Sequence, residues 1–547
     1  MAGVPVLVSL ISLVSAIFGE VIHTRLGDLE GKIKTSRDGR EYSAWTKIPY
    51  AKPPVGNLRL ANPEPFGKWK GVLNATENPP MCTQGSLFKL PRITGAGQED
   101  CLYLSVYKPN IEAKNLPVLF YVHGGGFLLG HPGSENMANY LMDENVILVT
   151  TTYRLGPLGF LSLNDKDLPG NFGLKDQALA LRWVYENIED FGGDPESITV
   201  FGESAGGASV HHLLLSPLTR DMVSKAYAMS GVIQNAWSNF KPSLIKSNTE
   251  KVIDALNCKK GSVREILECL RAIKDPFVVT DAMNVIDNRD MDICSFGPTF
   301  EPAAPGAFAT EDLSGAVSTK PLVLSFAAAE YLLYVFVQSM AKSDQPQRIK
   351  KNLDAYTRNV ISYAWDDEEK LATAAKILRD HYFKSEEAND IFLESAKLQQ
   401  DVAFVYPALE VAETHQGPKW VYQMVHRGEV SILDLFGKID SKVAAHADDV
   451  LYLLDQRDKY TQANASMNEV DKRISKQMVK FLVNFAKHGN PTPDGSPLFW
   501  KQYKGNEILR VKTEGFVMGD DDFIREQKGI LNLWRRLLNE KSAKEEL

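Results

Sequence analysis

A serine set between glycines is the first feature of this chain that can do chemistry. Ser204 stands in Gly202-Glu203-Ser204-Ala205-Gly206-Gly207, after the run Ser197-Ile198-Thr199-Val200-Phe201 and before the helix-compatible Ala208 to Leu215. A Gly-x-Ser-x-Gly pattern in strand, turn and helix context lifts the serine off a strand end, on a turn so sharp that a side chain at either glycine collides. The turn also sets the hydroxyl at a helix N-terminus, where backbone N–H groups favour developing negative charge. A second glycine cluster, His123-Gly124-Gly125-Gly126-Phe127, follows the apolar run Val118 to Val122. Side-chain-free N–H groups there suit a carbonyl oxygen that becomes an oxyanion during acyl transfer, where losing one donor costs about 2.7–4 kcal/mol. Gly125 and Gly126, with the Ala205 N–H, are the expected oxyanion hole.

A serine hydroxyl needs a base and the base needs a carboxylate, in the chain order serine, acid, histidine for this kind of turn. His381, His415, His426, His446 and His488 all lie late enough to serve, and order alone does not choose among them. His211 and His212, on the predicted helix after Ser204, read as packing or solvent-facing residues. For the acid, Glu330 closes the apolar run Pro321 to Ala329. A carboxylate at the end of a buried strand is costly unless paired. An imidazole that takes up the serine proton would be such a partner, and a structural Arg or Lys would be another.

These groups need a scaffold. The runs Val118 to His123, Val146 to Tyr153, Ile198 to Gly202 and Trp420 to Met424 predict buried strands. Leu174 to Phe191 carries Leu174, Ala178, Leu181 and Ile188 at helical spacing and stops at Gly192-Gly193. Strands alternating with helices predict an α/β fold, a mostly parallel sheet with helices on both faces and its site beyond the strands' carboxyl ends. Leu322 to Met340 is apolar enough to suggest a membrane span, but Glu330 at its middle would cost about 2.5–3.5 kcal/mol in lipid, so a strand followed by a helix is expected.

The chain has 547 residues, 44% apolar and 24% charged, with net charge −8. An acidic balance argues against a nucleic-acid partner, which needs a basic face. Met1 to Gly19, with its uncharged apolar run Val4 to Phe18 and the small residues Val14-Ser15-Ala16, reads as a secretory signal peptide, too short to span a bilayer. No linker or repeat divides residues 20–547, which are expected to form one domain with no integral membrane span. Among the five cysteines, spacing suggests the short loops Cys82 with Cys101 and Cys258 with Cys269, leaving Cys294, although spacing does not fix connectivity. Asn74 and Asn464 open glycosylation sequons, expected at the surface. The C-terminal Lys544-Glu545-Glu546-Leu547 resembles the Lys-Asp-Glu-Leu address for the endoplasmic reticulum lumen, with the extracellular space as the alternative.

Beyond the glycine motifs, the chain contains Ile48-Pro49-Tyr50-Ala51-Lys52-Pro53-Pro54, Glu99-Asp100-Cys101-Leu102-Tyr103-Leu104, Tyr153-Arg154-Leu155-Gly156-Pro157-Leu158-Gly159-Phe160 and Phe191-Gly192-Gly193-Asp194-Pro195. With these it resembles the carboxylesterase and cholinesterase family over nearly the whole mature chain, most closely the insect α-esterase-type members. The resemblance implies the α/β-hydrolase fold and a serine carboxylesterase. The family's histidine motif matches His446-Ala447-Asp448-Asp449-Val450-Leu451-Tyr452 and singles out His446; its acid matches Glu330, and its two short disulfide loops match the cysteine pairs above. Trp237 and Phe296 match positions that line the acyl pocket. Where the family usually places glycine after the acid, this chain has Tyr331. The implied mechanism runs through an acyl-enzyme with no cofactor or metal, on small-molecule ester substrates, with organophosphate-type compounds as covalent inhibitors. Cholinesterases place a tryptophan in the first disulfide loop to hold a quaternary ammonium; here that loop has Phe88 and no Trp. Juvenile hormone esterases typically show Gln where Glu203 stands, which makes that branch the lesser alternative. A non-catalytic adhesion protein on the same fold is the rival from another class, and nothing in this triad is degraded.

Overall fold

Short apolar runs bounded by glycine, proline and polar residues become strands. In the computed structural model the strands are β1 (Val21–Thr24), β2 (Gly27–Glu30), β3 (Lys32–Thr35), β4 (Glu41–Pro49), β5 (Val72–Asn74), β6 (Tyr103–Pro109), β7 (Leu116–Val122), β8 (Ile147–Thr151), β9 (Gly193–Glu203), β10 (Lys225–Met229), β11 (Leu322–Ala327), β12 (Lys419–Met424), β13 (Ile508–Lys512) and β14 (Gly515–Met518), the central ones being the apolar runs. The structure describes residues 20–85, 95–133, 136–259, 261–286, 294–335, 344–365, 367–436, 441–456 and 467–538. The expected leader, Phe88, the Asn464 sequon and the C-terminal tetrapeptide lie outside them.

β1, β2 and β5 form a small sheet, and the other strands form an 11-stranded sheet in the order β14-β13-β12-β11-β10-β9-β7-β8-β6-β4-β3. From β8 through β7 and β9 to β13 neighbours run parallel, whereas β6, β4, β3 and β14 add antiparallel edges. Successive side chains of a strand face opposite ways, and the central strands are apolar on both sides. Val118, Phe120 and Val122 of β7 enter one core, and Leu119 and Tyr121 the other. In β11 Leu322, Leu324 and Phe326 are likewise opposed to Val323. Helices cover both cores, as the near-continuous apolar runs require. This is the α/β-hydrolase fold.

The strand order reverses at β7, which is flanked by β8 and β9, and a crevice at such a point is where open α/β sheets bind ligands. Three helices pack close to it: α1 (Gly156–Phe160), α2 (Phe172–Asn187) and α3 (Ala205–Leu215). The predicted helix Leu174 to Phe191 is observed as α2 plus the 3₁₀ turn Ile188–Phe191, and Gly192 takes φ 83° just beyond. The apolar run after β11 does not continue as strand past Ala327; a helical turn occupies 331–335. Among the described residues, no helix is long and apolar enough to cross a membrane.

Cys82–Cys101 and Cys258–Cys269 are disulfides, and the buried Cys294 belongs to neither. Asn74 is exposed at the end of β5, its Oδ1 accepting from the Thr76 N–H at 2.9 Å.

Candidate active site

β9 ends at Glu203, and α3 starts at Ala205, so the whole turn between strand and helix is Ser204. Its backbone takes φ 57° and ψ −123°, a conformation sparsely populated by residues with side chains. The Ser204 N–H donates to the Met229 carbonyl at 2.8 Å, and its carbonyl accepts from Ala208 N at 2.9 Å, so both neighbouring elements hold the strained corner. The glycines are sterically required: a Cβ on Gly202 would stand 2.6 Å from the Val122 carbonyl oxygen, and one on Gly206 would overlap that same oxygen.

The loop after β7 packs directly on this corner. A Cβ on Gly124 would lie 2.6 Å from the Glu203 carbonyl oxygen and 3.1 Å from Ser204 Cβ. Gly125 and Gly126 take φ 114° and 61°, values that favour glycine, and the Gly125 carbonyl accepts from the Leu128 and Leu129 N–H groups. Tyr153 holds the loop's root by donating to the His123 carbonyl at 2.9 Å while its ring stacks on the His123 imidazole. The Ala205 N–H, in the first turn of α3, has no intrahelical acceptor. The glycine loop and the first turn of α3 therefore both border the Ser204 corner.

Glu330 is fully buried just past β11. One carboxylate oxygen accepts from the Ser230 hydroxyl at 2.6 Å and from the Ala327 N–H at 2.6 Å; the other lies 2.5 Å from His446 Nδ1. A bridge between Ala329 and Ala445 ties the loop of Glu330 to that of His446. Beyond His446, Ala447 takes φ 67°, and the Asp448 carboxylate accepts from the Ala445 N–H at 2.8 Å and the Ile432 N–H at 2.9 Å. The next residue, Asp449, accepts from Ser325 and Tyr422 hydroxyls at 2.9 and 2.7 Å, anchoring the same loop to β11 and β12. Tyr331 sits at no positive φ, so the position after Glu330 needs no glycine in this chain.

The opposite edge of the imidazole faces the serine corner: His446 Nε2 lies 3.1 Å from Glu203 Oε1. Burial alone would lower the His446 pKa, but the Glu330 and Glu203 carboxylates outweigh it and raise it to about 9. Glu203 is a residue that motif reading treats as filler between glycine and serine, and only its distance to Nε2 reveals it. Phe404 is another addition, its ring centroid 4.7 Å from that of His446.

The remaining late histidines are engaged elsewhere. His415 Nε2 pairs with the Lys320 carbonyl at 2.8 Å, and His426 lies between Asp471 and Thr513. His381 packs on Tyr382, and His488 ends the helix Glu469–His488. His211 and His212 are buried, and burial lowers their pKa values to about 3 and about 4. Trp237 is buried against Phe404, with centroids 5.8 Å apart. Phe296 is fully buried two residues after Cys294, whose Sγ stands 3.0 Å from where a Gly126 Cβ would lie.

The model of the Carboxylesterase family matches residues 19–523. Juvenile hormone esterase of Tribolium castaneum is 33% identical over 528 residues, covering 91% of this chain and 88% of that protein. A carboxylic ester hydrolase of Bombus ignitus is 33% identical over 509 residues, covering 89% and 88%. The crystal structure of juvenile hormone esterase from Manduca sexta, with OTFP covalently attached, superposes with a TM-score of 0.83 at 25% identity, covering 95% of this chain and 99% of that one. A strained serine corner packed against the glycine loop, with a carboxylate-paired histidine beside it, thus accompanies a match across almost all of the chain, which belongs to the carboxylesterase family.

Proposed function

We propose that this serine esterase hydrolyses neutral carboxylic esters with small to medium acyl groups, using Ser204, His446 and Glu330. The contact between His446 Nδ1 and Glu330 beside the Ser204 corner carries this reading. Ser204 Oγ attacks the ester carbonyl as its proton passes to His446 Nε2. Glu330 stabilises the resulting imidazolium, and the Gly125, Gly126 and Ala205 N–H groups hold the oxyanion. The imidazolium then protonates the leaving alcohol, which leaves the acyl group on Ser204. Water loses a proton to His446, attacks that acyl group and frees the carboxylic acid, and Ser204 regains its proton. Phosphonates and other electrophiles that stop at the first covalent stage are the corresponding inhibitors; in the Manduca sexta protein OTFP is covalently attached.

The absence of a tryptophan between Cys82 and Cys101 supports neutral over cationic substrates. A desolvated cation–π contact is worth about 2 kcal/mol, or roughly thirtyfold in affinity. The buried Trp237 and Phe296 support a short acyl side, where added methylenes overpack. A panel of naphthyl acetate, butyrate and octanoate with acetylthiocholine tests both points by kcat/KM. Acetate or butyrate is expected to lead; thiocholine ester turnover equal to that of acetate, or octanoate as the best donor, counts against the reading. Juvenile hormone belongs in the same panel, because two of the similar proteins are juvenile hormone esterases. It becomes the preferred reading if its kcat/KM exceeds that of every simple ester.

Passage through the secretory pathway fits the same reading, supported by the apolar leader, the two disulfides and the exposed Asn74. Mass spectrometry of protein made in insect cells is expected to find glycan on Asn74 and no residues before the leader's end. An intact leader and bare Asn74 would oppose it.

A further inference from the structure

One turn touches the site from a direction that the two-step reaction leaves unused. The helix Ala388–Gln400 runs into a π-turn, Asp401–Val405, before the chain continues as the helix Tyr406–Thr414. The Tyr406 N–H reaches back to the Asp401 carbonyl, one residue further than in an α-helix. The next residue, Pro407, has no N–H to offer the Ala403 carbonyl four residues earlier. That carbonyl accepts instead from Trp237 Nε1 at 2.9 Å and from Asn235 Nδ2, both on the segment after β10. On its other side the turn is held by the Tyr382 hydroxyl, which donates to the Asp401 carboxylate at 2.8 Å. Phe404 is thereby set between Trp237 and His446, with its ring centroid 5.8 Å from the first and 4.7 Å from the second. Single π-turns inside α-helices recur at functional sites. The extra residue redirects side chains that a regular helix would aim elsewhere.

We propose that Phe404 is a positioning residue for the general base, delivered against the imidazole by the π-turn. The contacts of Nδ1 with Glu330 and of Nε2 with Glu203 hold the two edges of the His446 ring but do not cover its faces. The Phe404 ring, itself buried and tilted 52° against the imidazole, limits tilting of the ring and keeps water away. Misplacing a reacting group by about 1 Å can cost on the order of a hundredfold in rate. The proposal rests on His446 being the base.

The test uses the full-length enzyme with nitrophenyl acetate and octanoate, counting active sites by burst titration so that unfolded protein does not enter the rate. For Phe404→Leu, kcat and kcat/KM for acetate are expected to fall together by about tenfold to a hundredfold with KM little changed. Phe404→Tyr, which restores a ring, recovers most of the loss. Asn235→Ala, which releases one clamp on the Ala403 carbonyl, gives a smaller fall of the same kind. Unchanged acetate kcat in both Phe404→Leu and Asn235→Ala overturns the proposal. So does an effect confined to KM or to octanoate, which makes Phe404 only a pocket wall. His446→Ala is measured alongside: loss of turnover there with unchanged Phe404→Leu defeats this proposal alone, whereas wild-type turnover defeats the base assignment on which it rests.

Discussion

Replacing Glu330 with Gln is expected to lower kcat by about 10⁴-fold while leaving the fold intact, because an amide in that place removes the charge that stabilises the imidazolium and can hold the wrong tautomer. The environment makes the effect large. Ser230 and the Ala327 N–H both donate to the other carboxylate oxygen, so Glu330 is built as an acceptor and cannot be replaced by solvent. Glu203 provides the contrast. Both carboxylates raise the His446 pKa, against burial, which lowers it. As the proposed base, His446 works only as neutral imidazole, so activity is expected to be lost as pH falls through that pKa, and removing a carboxylate charge is expected to move the loss to lower pH. Glu203→Gln is therefore expected to shift the acid limb of the kcat/KM profile downwards with far less loss of kcat than Glu330→Gln. Near-normal turnover in Glu330→Gln, or an acid limb unmoved in Glu203→Gln, would contradict these roles.

What the sequence makes legible here is mostly local. The Ser204 corner is visible because colliding backbones demand glycine at positions 202 and 206, and a demand of that kind is written within a few residues. The glycine loop after β7 is visible for the same reason, and the buried strands because their apolar runs match two-sided burial. His446 is different. Five histidines satisfy chain order, and what separates them physically is the bridge between Ala329 and Ala445, a pairing across more than a hundred residues that no local pattern encodes. The family motif supplied that choice. Glu203 was in plain view, but its role depends on a distance to a ring encoded far away. Phe404 left one trace, Pro407 interrupting an apolar helical stretch, which signals a helix irregularity without saying which side chain it turns inward. The predicted helix Leu174 to Phe191 ran a turn past α2 because apolar spacing does not distinguish the last α-turn from the tighter 3₁₀ turn that follows.

Covalent labelling is the most direct measurement of the central claim. A fluorescent phosphonate incubated with the active enzyme is expected to modify one residue, which peptide mapping identifies as Ser204, with turnover lost in step with the label gained. In Ser204→Ala, labelling is expected to vanish and kcat to fall by up to about 10⁶-fold, with the melting transition retained. Labelling that persists in Ser204→Ala, or turnover within a few fold of the unmodified enzyme, would contradict the account at its root.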